Sequence, residues 1–109
     1  MLAVETGDRR KSARVPVEMW VEESRGQELY FQRSGNLSRG GLFLENTIPH
    51  PIGTPVMLQF TLPGQHEPLR VRGEIVSASH LGELGMGVKF VDVEPQTQAH
   101  IDAFIDARK

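Results

Sequence analysis

The chain contains no cysteine. That excludes a disulfide framework, a thiolate metal site, a cysteine nucleophile and lipid attachment at cysteine, and it fits a reducing compartment. An excess of positive charge is also missing. Twelve basic residues face fourteen acidic ones, a formal charge of −2, so a general coat for DNA or RNA is not expected. Aromatics make up only 6% of the 109 residues. Tyr30 with Arg33, Arg70 and Arg72 offers only a thin version of the interleaved aromatic and basic surface that single strands need. No long apolar run is present. The longest uncharged stretch, residues 46–66, holds Pro49, Pro51, Pro55 and Pro63, which would break a membrane-spanning helix. The apolar start is cut short by Glu5 and Asp8 and does not read as a signal peptide. The expectation is one cytoplasmic domain with no membrane insertion.

What is present is a globular balance of 39% apolar and 24% charged residues, with eleven glycines and seven prolines. Such punctuation favours short strands and many turns. Val15, Val17, Met19 and Val21 alternate with polar neighbours, the period of a strand with one buried face, and Pro16 confines its start to an edge. Residues 24–27 read as a turn and residues 29–33 as a second strand. Residues 34–41 read as a polar, glycine-rich connection. Further strands are expected at residues 42–44, 55–62, 69–76 and 86–91, with a turn at Pro63 and Gly64. The period then changes. Pro95 suits a first helical turn, and Ile101, Phe104 and Ile105 form one apolar stripe. Six strands and a closing helix predict a small, mainly β, antiparallel barrel with a C-terminal α-helix as its lid.

Catalytic signatures are lacking. Asn36 stands where a nucleophile elbow needs glycine, and Gly85 and Gly87 lack the third glycine of a dinucleotide fingerprint. His50, His66, His80 and His100 are far apart, without metal-ligand spacing, and read as surface or loop residues. No enzyme, metal or cofactor is expected.

Two clusters stand out. Arg9, Arg10 and Arg14 precede the first strand, and guanidinium groups grip phosphates bidentately and pair with guanine edges. On composition alone a solvated basic tail is the plainer reading. The run Asn36-Leu37-Ser38-Arg39-Gly40-Gly41 has side chains able to hydrogen-bond a ligand and glycines that allow close approach, but it also suits an ordinary turn. Taken together, R-x-x-x-R entering one strand and N-x-S-x-x-G about twenty residues later resemble the PilZ domain. Gly85-Met86-Gly87-Val88-Lys89-Phe90 before a C-terminal helix is similar to that family too. The resemblance runs from about Asp8 onward. Asn36 departs from it, because Asp is commoner there; the acceptor is kept and the charge lost.

The resemblance implies a six-stranded antiparallel PilZ-type barrel over residues 15–109, preceded by a flexible arginine-bearing segment, residues 1–14. It implies a bacterial, cytoplasmic receptor for the second messenger cyclic di-GMP. Arg10 and Arg14 would hold phosphates and guanine edges, with Arg9 assisting. Asn36 and Ser38 would hydrogen-bond a guanine or phosphate, Arg39 would add a cation, and Gly40 and Gly41 would keep the strand clear of side-chain clashes. One or two nucleotides per site both remain open. With no second domain in view, the receptor would act in trans, as an adaptor on an unidentified protein partner. The rival reading is a PilZ-like interaction module that binds no nucleotide. Trp20, out of phase with Val17 and Met19, is either an interface anchor or a cover for the barrel rim.

Overall fold

In the computed structural model, residues 14–80 and 83–108 are described. Alternation of buried and exposed side chains builds seven strands: β1 (Val15–Pro16), β2 (Trp20–Arg25), β3 (Glu28–Ser38), β4 (Gly41–Glu45), β5 (Pro55–Phe60), β6 (Leu69–Ser79) and β7 (Gly85–Val91). All pairings are antiparallel, in the order β1-β3-β2-β5-β6-β7-β4, and β3 also pairs with β4. That last pairing closes β2 to β7 into a six-stranded barrel with β1 as one extra strand. Closure removes the open edges that would otherwise template aggregation.

The inward face is aliphatic. Val21, Leu37, Leu42, Leu44, Leu58, Ile75 and Met86 are all fully or almost fully buried. Each such side chain contributes about 1.5–3 kcal/mol relative to exposure. The helix α1 (Pro95–Arg108) buries Ile101, Phe104 and Ile105 and packs against β3 and β6. Its stripe is the one expected from the i, i+3, i+4 spacing. The turns behave as their residues require. Gly26 and Gly64 have φ of 61° and 84°, the left-handed region where glycine carries no Cβ penalty. Among the described residues, no helix is long and apolar enough to cross a membrane.

Three details depart from the sequence pattern. The first expected strand is split. Val15, Val17, Met19 and Val21 all face the core, but the register against β3 slips by one between Pro16↔Asn36 and Trp20↔Arg33. Ser34 bridges the break: its Oγ accepts from the Met19 N–H at 3.1 Å and donates to the Val17 carbonyl. Second, much of the expected connection at residues 34–41 is strand. A bulge between Ser34 and Asn36 on the β4 side shifts the alternation at Gly35. Buried Gln32 and Ser34 give way to buried Leu37, which leaves Asn36 half-exposed. A regular strand would have put Asn36 on the inner face.

Third, His50 is 8% exposed, not a surface residue, and its Nε2 lies 2.7 Å from Oε2 of fully buried Glu23. Gln32 donates to the other Glu23 oxygen at 3.1 Å, and Arg25 lies 3.3 Å from His50 Nδ1. A guanidinium donor at Nδ1 leaves the proton of a neutral imidazole on Nε2, the nitrogen nearer the carboxylate. The Tyr30 ring lies 5.1 Å from that of His50. Its hydroxyl donates to Glu28 at 2.7 Å, and that hydrogen bond holds the phenol above its ordinary pKa.

Candidate functional site

The short β1–β3 pairing joins the two sequence clusters. Val15 pairs with Leu37 and Pro16 with Asn36, so Arg14, the last residue before β1, falls beside the outward end of β3. There Arg14 Nη1 donates to Asn36 Oδ1 at 2.9 Å. One N–H of five is spent on this exposed contact, and the others stay available to a ligand. Pro16 has no N–H to give, which suits the two-residue strand's position at the end of the order.

Arg14, Ser38, Gly40, Gly41, Ser77 and Lys89 are among the residues lining an open groove of about 330 Å³. Four strands position them. β3 and β4 meet at the Ser38–Gly41 turn, where Ser38 Oγ donates to the Gly41 carbonyl at 3.2 Å. A bulge between Ile75 and Ser77 leaves Val76 and Ser77 both exposed. Ser77 Oγ accepts from the Gly87 N–H at 3.1 Å. Bulges of this kind turn side chains outward beside binding sites.

The electrostatics of the groove are one-sided. Among the described residues, Arg14 and Lys89 are its charged members and no carboxylate lines it. A larger groove of about 460 Å³ is lined by Glu45 and Glu83. Three further grooves each include Glu22, Asp92 with Glu94, or Glu67. In a chain of net charge −2, the smaller groove is therefore the one suited to an anion, although it offers less volume.

The sequence-derived residues separate into groups. Arg14, Asn36, Ser38, Gly40 and Gly41 come together at this rim. Arg9 and Arg10 lie outside the described residues. Arg39 sits on the same turn but reaches the helix: its guanidinium lies 2.5 Å from Asp106 and 3.5 Å from Asp102, while Gln98 Nε2 donates to its carbonyl at 3.0 Å. Gly41 has a structural reason of its own. A Cβ there would overlap the Val88 carbonyl on β7, whereas a Cβ at Gly40 would meet open space. Sequence reasoning missed Lys89 and Ser77. Lys89 was legible as the polar position between Val88 and Phe90. Ser77 was not, because only the bulge turns it outward.

No curated protein matches the sequence. Among solved structures, the fold resembles the Bacillus subtilis inhibitor of motility MotI/DgrA. The TM-score is 0.77 at 16% identity over 91% of this chain, which spans 50% of that protein. The PilZ domain of YcgR from Escherichia coli, solved with c-di-GMP, superposes with a TM-score of 0.73 at 15% identity, covering 92% of this chain and 91% of that one. The PilZ domain of CeSA from a cellulose-synthesizing bacterium gives 0.69 at 21% identity, covering 88% and 97%. At these identities the likeness is one of fold. The sequence itself matches the family model of the PilZ domain over residues 8–107, nearly the whole chain, and the chain therefore belongs to the PilZ domain family.

Proposed function

We propose that this chain is a receptor for cyclic di-GMP and that it acts as an adaptor on a protein partner. The observation that carries the reading is the contact of Arg14 with Asn36 at 2.9 Å, which joins the two motifs at the rim of a groove that has no carboxylate among the described residues. The ligand is a dianion bearing two guanines. It requires cations, base-edge partners and close approach to backbone, and no catalytic group. Arg14 and Lys89 supply charge. Asn36 and Ser38 supply acceptors and donors for a guanine edge or phosphate. Gly40 leaves open space at the turn. Arg9 and Arg10, five and four residues before Arg14, add the cations that the family's first motif implies. The YcgR domain, which has this fold, was solved with the same nucleotide. Arg39 would take part only by leaving Asp102 and Asp106.

The test is titration calorimetry of the full chain with cyclic di-GMP. A charged hydrogen bond contributes roughly 1.5–3 kcal/mol. Arg14→Ala is therefore expected to weaken binding about tenfold or more, and Arg10→Ala likewise. Thermal stability of Arg14→Ala should stay close to wild type, because its contact with Asn36 is exposed. No binding at tens of micromolar nucleotide would overturn the proposal and leave a PilZ module that works without a nucleotide.

A further inference from the structure

A depression on the outer face of the barrel, formed mainly by β2, β3 and β5, shares no residue with the groove. Trp20 is 65% exposed and Phe31 64%. Both line this depression together with Glu22 and Gln59. The indole is held in place: the Arg33 guanidinium lies 5.7 Å from its ring and pairs with Glu18 at 2.9 Å. This side of the barrel has no covering element among the described residues.

The strand register sets one pair of opposite charges symmetrically about β5. Phe31 pairs with Glu22, Glu22 with Gln59, and Gln59 with Arg70, forming one row across the sheet. In the next row Ser24 pairs with Met57 and Met57 with Arg72. Glu22 and Arg70 thus stand one strand to either side of Gln59. Two strand spacings, about 10 Å, separate them, too far for them to pair with each other. The side chains of Glu22, Arg70 and Arg72 make no hydrogen bond or ion pair among the described residues.

We propose that this face docks a second copy of the chain about a two-fold axis running along β5. Such an axis reverses left and right in the facing copy. Glu22 then meets Arg70 of the second copy, and Arg70 meets its Glu22. Ser24 meets the copy's Arg72, while Gln59 and Met57 lie on the axis and meet their own counterparts. Equal displacement of opposite, unpaired charges from one central strand is what an isologous interface requires, and a dissimilar partner would need no such symmetry. Trp20 on β2 lies one strand from the axis and Phe31 on β3 two, both on the same side in each copy, so the aromatic pairs of the two copies fall on opposite sides of the axis and provide apolar area of the kind that anchors interfaces.

Sedimentation equilibrium of the full chain tests this with charge reversals at half-buried Glu22 and exposed Arg70. Wild type is expected to self-associate. Glu22→Arg alone and Arg70→Glu alone each place like charges together twice, and each should weaken association by about tenfold. The two single variants mixed should form a heterodimer, and the double variant should recover wild-type association, because both restore opposite charges. Neither rescue would follow if the reversals had merely damaged folding. A wild type that stays monomeric to millimolar concentration overturns the proposal and leaves the face to a different protein. So does an unchanged single variant, or a mixture without heterodimer. None of these results bears on nucleotide binding.

Discussion

Replacing Ser34 by alanine tests how the barrel delivers Arg14 to the groove. Ser34 is fully buried and does not line the groove. Its hydroxyl serves the Met19 N–H and the Val17 carbonyl across a register slip, and neither group has another partner among the described residues. Alanine keeps the volume and removes both hydrogen bonds. Each buried group left unpaired costs about 1–3 kcal/mol, so the variant should lose about 2–4 kcal/mol. Typical domains hold only about 5–15 kcal/mol in all, and the midpoint of thermal melting should fall by about 10 °C or more. Urea denaturation followed by Trp20 fluorescence measures the loss. If the proposed site is right, calorimetry below the transition should also show weaker cyclic di-GMP binding, since the bridge holds β1 in the register that brings Arg14 to Asn36. A loss below about 0.5 kcal/mol, the range of ordinary surface changes, would refute the role given to the bridge.

Adjacent glycines should respond differently. Gly41→Ala forces a Cβ into the Val88 carbonyl and should cost about 1–3 kcal/mol as overpacking, while Gly40→Ala should stay within about 0.5 kcal/mol; chemical denaturation of both separates backbone approach from loop flexibility. His50→Ala leaves the Glu23 carboxylate buried without its imidazole and should destabilise by about 3–5 kcal/mol. Adding Glu23→Gln should recover part of that loss in the same assay, because the stranded charge is gone. Arg39→Ala should cost less than about 1 kcal/mol, since its partners Asp102 and Asp106 are partly exposed. Its signature is faster amide exchange in α1, which would be absent if the pairs did not hold the helix down.

Much of the barrel was legible because its physics is local. Period-two alternation through Leu69, Val71, Gly73 and Ile75 gives β6 its buried face whatever the neighbouring strand, and Gly26 and Gly64 mark turns by a positive φ that glycine adopts without a Cβ penalty. The helical stripe of Ile101, Phe104 and Ile105 was equally plain. Bulges were harder to read. A one-residue slip arises where two strands must be matched, and no single strand records it. The turn-like run at residues 34–41 therefore hid the end of β3, and Ser77 gave no sign that it would face outward.

The sequence alone determined the family, the strand-rich architecture and the motif residues Arg14, Asn36, Ser38 and Gly41, because each depends on residue type and short spacing. Only the tertiary structure decided that Arg39 turns to the helix, that Lys89 and Ser77 join the rim, and that Glu23 and His50 meet inside the barrel. Those outcomes depend on which strands become neighbours and in what register, as where β7 is set between β4 and β6, and no single strand records that.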